Sequence, residues 1–121
     1  MTQIHLFENA ADALPFAAGT AIFEQGGTSE VMYAIAAGEV SLTHNDRLLA
    51  TLTAGTLVGE MALLEQRPHY ATAVAQTDCK LVPIDRRRFQ FLVEQTPYFA
   101  IQVMTIMAER LQRMNQLIAD T

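Results

Sequence analysis

The sequence predicts a mainly β domain with flanking helices, folded as an antiparallel jelly-roll β-barrel. From Gly19 to Ile84, short apolar or alternating runs are broken by glycines or polar turns every few residues, as in β-sandwiches and barrels. Ahead of this region, the pattern predicts a short helix that ends before Pro15, in the segment IHLFENAADALPFAAG. Beyond Asp85 the apolar spacing lengthens from two residues to three or four, which predicts a C-terminal pair of helices.

The predicted strands follow from alternation and from the turns between them. Val31, Tyr33 and Ile35 share one face of a strand that breaks at Gly38. The run VSLT alternates up to the polar turn HNDR, and LLATLT, YATAVAQT and CKLVPI supply further strands. Because no helical pattern long enough for a βαβ unit separates these runs, the sheet is expected to be antiparallel.

The two C-terminal helices have recognisable starts. Asp85 is the predicted N-cap of the first, and Thr96 followed by Pro97 begins the second. The second helix carries a stripe at alternating steps of three and four residues, the spacing of an a/d seam. The residues of this stripe are Met104, Met107, Leu111, Met114 and Ile118. Two compatible interpretations stay open: the stripe packs on the chain's own barrel, or it joins a second copy or a partner protein.

Composition narrows the class of protein. The chain has 121 residues, 50% of them hydrophobic, which is enough to bury the core of one domain. Its formal net charge is −5, which argues against a dedicated nucleic-acid binder, so no direct contact with nucleic acid is expected. No basic, apolar leader and no apolar run of about 20 residues is present, so we expect a cytoplasmic protein without membrane contact.

Residues with reactive or metal-binding chemistry are sparse. Cys79 is the sole cysteine, which rules out an internal disulfide and a cysteine-based metal site. His5, His44 and His69 lack the spacing of metal ligands, and no nucleophile–base signature or phosphate loop is present. The sequence therefore predicts no enzyme activity, no metal and no cofactor.

The stretch GEMALLEQRPHYATA has the features of an anion-binding turn. If Gly59 begins a short helix, the amides of Glu60, Met61 and Ala62 point away from its N-terminus and attract an anion. Glu60 has two interpretations on residue type alone: a ligand contact through a hydroxyl group, or an acid favoured by the helix dipole.

Four segments in order resemble the cyclic-nucleotide-binding domain of catabolite-activator/Fnr-type regulators, kinase regulatory subunits and gated channels. These segments are GTAIFEQGGTSEVMYAIAAGEV, LATLTAGTLVGEMALL, AQTDCKLVPIDRRRFQFLVEQTP and MAERLQRMNQ. The resemblance implies one stand-alone domain over residues 1–121, without a DNA-binding domain. It comprises an N-terminal helical segment (1–18), a β-roll (19–84) with a phosphate cassette (58–73), and C-terminal helices (85–121).

The resemblance also implies roles for residues of the cassette. Glu60 matches the glutamate that takes the ribose 2′-OH, but His69 stands where the family has a phosphate-binding arginine, and Tyr70 where it has a small residue. Histidine supplies one donor and is mostly neutral near pH 7, so the cassette is degenerate and Arg67 is a candidate substitute for the phosphate contact. Asn115 matches a position near the base. The implied ligand residues are Gly59, Glu60, Met61, Ala62, His69, Tyr70 and Asn115.

Two functions remain as hypotheses. The first is a sensing module for a cyclic nucleotide, cyclic AMP or cyclic GMP, or for another small anion, that signals through its C-terminal helix. In this hypothesis binding is weaker than in the family because of the altered cassette. The alternative is a ligand-free interaction or dimerisation domain on the same fold, with the pocket vacant.

Overall fold

The structure, a computed structural model, describes residues 2–119 apart from the side chain of Leu117. Within this range, eight strands and three helices follow one another along the chain. They are β1 (Leu14–Phe16), β2 (Ala21–Phe23), β3 (Val31–Ala37), β4 (Glu39–His44), β5 (Arg47–Thr53), β6 (Leu57–Val58), α1 (Glu60–Glu65), β7 (Thr72–Ala75), β8 (Cys79–Asp85), α2 (Arg86–Gln95) and α3 (Pro97–Ala119).

The strands form two four-stranded antiparallel sheets. One has the order β1-β8-β3-β6 and the other β2-β7-β4-β5. The predicted fold class, mainly β with C-terminal helices, is confirmed. The two sheets are not closed into one barrel, so the predicted barrel is a pair of open sheets that face each other across a core.

Strand β3 shows how the first sheet lies between two apolar cores. Met32 and Ala34 belong to a cluster shared with the helices and the N-terminal segment. Tyr33 and Ile35, on the other face as predicted, belong to the cluster between the two sheets. The first sheet is therefore covered on both faces, by the second sheet on one side and by helices on the other.

The predicted N-terminal helix is wrong. Residues 5–13 form successive tight turns, with backbone bonds such as Glu8 N to His5 O at 3.2 Å and Ala13 N to Ala10 O at 3.3 Å. Pro15 then lies inside β1, an edge strand, where a residue without an N–H is tolerated. The physical reason is tertiary: pairing of β1 with β8 and burial of apolar side chains on the core outweigh a marginal helix of this length.

The starts of the C-terminal helices agree with the sequence. Asp85 caps α2, its Oδ1 accepting from Arg88 N at 2.7 Å, and α3 begins at Pro97. The inward face of α3 carries Phe99, Val103 and Ile106, all buried against the first sheet and the N-terminal turns. The first half of α3 is thus folded back on the chain's own core.

Residues 2–4, called here the N-terminal strap, bind α3 to the β-roll. The carboxylate of Glu109 on α3 accepts from the backbone N of Thr2 at 3.0 Å and from its hydroxyl group. Ile4 N donates to Gly55 O at 2.6 Å, in the turn before β6. The hydrogen bonds from Thr2 lower the pKa of Glu109 below its ordinary range.

Candidate functional site

The cassette begins with a glycine that no other residue can replace without strain. Gly59 is the N-cap of α1 with φ 83° and ψ 7°, in the left-handed region. A Cβ there would lie 3.1 Å from Cε2 of Phe23 and 3.4 Å from Cε1 of His69. The predicted helix start at Gly59 is confirmed, and two aromatic rings pack directly over the backbone at this point.

His69 is buried at the centre of the cassette. Its ring stacks on Phe23, with centroids 3.7 Å apart and planes 7° from parallel. Its backbone pairs with the loop after β2: His69 N donates to Gly27 O at 2.9 Å, and Gly26 N to His69 O at 2.7 Å. Burial lowers the pKa of His69 below its ordinary 6.5, so the imidazole is neutral at pH 7.

The depressed pKa of His69 predicts how stability depends on pH. The folded protein holds the neutral ring, whereas the unfolded chain protonates it near pH 6.5, so this contribution is complete above pH 6.5 and is lost as pH falls. We expect the free energy of unfolding to decrease from pH 7 to pH 5, by at most about 1.4 kcal/mol per pH unit for one proton. Urea unfolding at several pH values measures the slope. His69→Phe, which keeps a ring on Phe23, should flatten it; an unchanged slope would contradict the assignment.

Glu60, the first residue of α1, is buried and paired. Its side chain is 6% exposed, and its Oε1 accepts from Nη1 of Arg110 on α3. The same guanidinium donates through Nη2 to Leu57 O at 2.7 Å and to Thr56 Oγ1 at 3.0 Å. A buried carboxylate needs such a partner because an isolated buried charge is costly. The pair therefore ties the cassette directly to the C-terminal helix.

Tyr70 and Met61 lie at the mouth of the cassette. Tyr70 is 49% exposed and Met61 43% exposed. Partial burial, with the nearby Glu60 carboxylate, raises the pKa of Tyr70, so its hydroxyl group stays protonated and can donate. The backbone carbonyl oxygen of Tyr70 accepts from Nδ1 of His44 at 2.6 Å, which fastens the end of β4 to the cassette.

Six of the predicted ligand residues line one cavity. Its volume is about 20 Å³, which holds roughly one water molecule. Pockets for small organic ligands are usually about 300 Å³ or more, so the cavity in this conformation is too small for such a ligand. The six residues are Gly59, Glu60, Met61, Ala62, His69 and Tyr70.

Two other predicted residues lie elsewhere. Arg67 is exposed and lines a separate groove with Arg86, so it is not in the cassette cavity. Asn115 is exposed on α3, and none of the described residues lining the cavity comes from that helix. Of the predicted seam, Met107 packs against the core of the chain itself, whereas Met104, Leu111, Met114 and Ile118 are exposed.

Two residues of the site were missed in the sequence. Arg110 follows Phe99, Val103 and Ile106 at steps of four, three and four, so its place on the core-facing stripe was a signal for a buried partner. Phe23 lies on β2, but nothing in one sequence marks it as the ring under His69.

Other binding chemistry is limited in residues 2–119. No group of three histidine, cysteine, aspartate or glutamate side chains in this range is arranged to hold a metal ion. None of the helices described has the length and apolar character needed to cross a bilayer. Cys79 is buried, with its Sγ 3.2 Å from the carbonyl oxygens of Glu39 and Thr77.

The fold and the cassette define a class of β-roll domain in which a short glycine-capped helix faces a long C-terminal helix. The family model described as cyclic nucleotide-binding domain matches residues 13–96. The chain belongs to the cyclic nucleotide-binding domain family, as the resemblance in its sequence implied.

Individual relatives agree with this assignment. The chain is 36% identical over 99 residues to the cyclic AMP receptor protein of Thermus thermophilus, covering 78% of this chain and 46% of the relative. It is 30% identical over 102 residues to the Pycsar effector protein XpPycTIR of Xanthomonas perforans, covering 84% of this chain and 34% of the relative. The chain thus spans less than half the length of these curated relatives.

Solved structures share the fold. The Thermus thermophilus catabolite activator protein superposes with a TM-score of 0.77 at 30% identity, covering 94% of this chain and 61% of that one. A structure titled "A cyclic-GMP-dependent signalling pathway regulates bacterial phytopathogenesis" gives a TM-score of 0.73 at 27% identity, covering 84% of each chain.

Proposed function

We propose that this domain senses a cyclic nucleotide, cyclic AMP or cyclic GMP, through a cassette that is closed in the unliganded state and binds weakly. The observation that carries the proposal is the convergence of Gly59, Glu60 and His69 on one cavity whose acid is paired with Arg110 of α3. Family membership and the names of the relatives support the ligand class.

Within this proposal, Glu60 receives a hydroxyl group of the ligand. One carboxylate oxygen is held by Arg110, and a carboxylate has lone pairs left for a second donor. The amides of Met61 and Ala62 lie ahead of the first backbone bond of α1, from Leu63 N to Gly59 O at 3.3 Å, and therefore have no partner within the helix.

Weak binding follows from two features of the closed cassette. Opening the cavity separates the stacked rings of His69 and Phe23. Because only the open molecules bind the ligand, the apparent affinity is reduced in proportion to their fraction. The neutral imidazole also lacks the charge and the fork of an arginine. An anionic phosphate beside His69 would favour the protonated ring, so binding takes up a proton near neutral pH.

In this proposal, α3 is the element that transmits ligand binding. A hydroxyl group that bonds Glu60 alters the environment of Arg110, and Arg110 bridges α1, the turn before β6 and α3. The N-terminal strap adds a second attachment of α3 to the β-roll. Ligand would act by changing the population of molecules in which α3 is seated on these attachments.

Calorimetric titration of cyclic AMP and cyclic GMP tests the proposal. We expect micromolar or weaker binding that tightens at pH 6 relative to pH 8. The observed heat at neutral pH should change between two buffers of different ionisation enthalpy, because a proton is taken up. Glu60→Gln should weaken the binding, while Gln112→Ala on the outer face of α3 should leave it unchanged. No heat with either nucleotide at millimolar concentration would overturn the proposal.

A second function, self-association through α3, is favoured by the exposed face of this helix. Ile101, Met104, Ala108, Leu111 and Asn115 are all exposed and follow at steps of three, four, three and four residues. This spacing is that of an a/d stripe with Asn115 at an a position. A single Asn at such a position favours a coiled coil of two parallel helices. The stripe uses Ala108 and Asn115 in place of Met107 and Met114 of the predicted seam.

Leu111→Asp is the matched test of self-association. Leu111 is 60% exposed at a d position, so the added carboxylate would be buried at a two-helix seam and should abolish the dimer without disturbing the monomer core. Sedimentation velocity measures the oligomeric state of each variant. The adjacent Gln112→Asp adds the same charge off the stripe and should leave the dimer intact. A wild-type monomer at high concentration, or equal loss in both variants, would contradict this function.

A further inference from the structure

A groove of about 300 Å³, called here the arginine groove, lies apart from the cassette cavity. It is bounded by residues 28–30 before β3, by residues 66–68 after α1, and by Arg86 at the start of α2. Arg67 and Arg86 both line it, although they are separated in the sequence. Neither arginine lines the cassette cavity.

Arg86 is held in place within the arginine groove. Its Nη2 donates to Leu63 O and, at 3.5 Å, to Leu64 O, two carbonyls in the last turn of α1. These bonds neutralise the negative end of that short helix and restrict the side chain. A guanidinium has five N–H donors, so donors remain for a ligand, and a side chain already restricted loses less entropy on binding.

Arg67 brings a second positive charge to the same space. Among residues 2–119, no hydrogen bond or ion pair engages its guanidinium, and the residue is exposed. Gln66, just before it, has left-handed backbone angles (φ 55°, ψ 45°) that end α1. The hydroxyl group of Thr28 and the amide of Gln66 add neutral donors, and Glu30 is the single acid in the lining.

We propose that the arginine groove binds a small oxyanion of the phosphate-monoester or pyrophosphate class. Two guanidinium groups against one carboxylate give a local positive charge in a chain whose net charge is −5. Planar guanidinium forks match phosphate oxygens. The groove volume is at the lower limit of small-ligand pockets, which excludes a large ligand. Because the groove is open to solvent, binding is weak and falls with added salt.

Inorganic pyrophosphate is the probe, titrated into the full chain while backbone amide NMR signals are followed. We expect saturable shifts at residues 28–30 and 66–67 in the millimolar range, and none at Tyr70 or Ala71 in the cassette. Arg67→Gln should weaken binding about tenfold, since one charge-assisted contact is lost. Glu30→Gln should strengthen it about threefold, because a like charge is removed. The two substitutions thus change the affinity in opposite directions.

Arg87→Gln is the matched control, because Arg87 is exposed next to Arg86 and does not line the groove. It should leave the affinity unchanged. Equal weakening by Arg67→Gln and Arg87→Gln would mean diffuse attraction to surface charge and would overturn the proposal. Shifts confined to the cassette, or none at millimolar pyrophosphate, would overturn it as well. None of these outcomes depends on whether the cassette binds a cyclic nucleotide.

Discussion

Arg110→Met is expected to lower the free energy of unfolding by about 3 kcal/mol, the low end of the cost of breaking a buried ion pair. Methionine retains most of the buried stem but none of the donors. The Glu60 carboxylate, 6% exposed, then loses its charged partner, and Leu57 O and Thr56 Oγ1 lose a donor. Chemical denaturation followed by circular dichroism measures the change.

Arg113→Met, less than one helical turn further along α3, is the matched control because Arg113 is exposed. It should change stability by no more than about 0.5 kcal/mol. Adding Glu60→Gln to Arg110→Met should recover part of the loss, since the unpaired charge is removed, with a coupling of about 1–3 kcal/mol. Additive effects of the two substitutions would show that the residues do not interact in solution.

His69→Arg is expected to raise the affinity for a cyclic nucleotide by about tenfold to a hundredfold. A permanent charge and a bidentate fork would add one charge-assisted contact, about 1.5–3 kcal/mol, to the phosphate. The unliganded protein should lose stability at the same time, because the stack on Phe23 at 3.7 Å is replaced by a buried cation. Calorimetry measures the affinity and thermal unfolding the stability.

His69→Gln separates charge from hydrogen bonding, since glutamine donates but is never positive. It should give no gain in affinity and should abolish the difference between pH 6 and pH 8. If the arginine and glutamine variants bound equally well, the phosphate would not be recognised at position 69, and the proposed cassette would be wrong.

The β-roll was predictable from the sequence because several of its turns require glycine, which is visible in the sequence itself. Gly38 is an example: its φ is 96°, and a Cβ there would lie 2.5 Å from Asp78 O, so the break seen in the sequence is a steric requirement. The same holds for Gly59 at the start of the cassette. The N-terminal segment was mispredicted because its fate depends on pairing with β8, some 65 residues away, which local patterns do not encode.

The sequence predicted which residues form the cassette, but it did not predict whether the cassette cavity is open or closed. Residues 59–62 and 69–70 lie within one short stretch of the chain, so the sequence alone brought them to one site. Other features arise between elements that are distant in the chain. They are the stack of His69 on Phe23, the contact of Arg110 with Glu60, and the position of Arg67 in the arginine groove. Whether the cavity is open or closed is likewise decided by packing, and residue type does not specify it.

The N-terminal strap has a consequence for the order in which the molecule comes apart. The hydrogen bond from Thr2 to Glu109 closes a loop of 107 residues, so we expect it to form late in folding and to open early in unfolding. Local opening of the strap also frees the middle of α3 from one of its two attachments to the β-roll. The strap and the second half of α3 should therefore exchange their amide hydrogens together, as a cooperative unit less protected than the sheets.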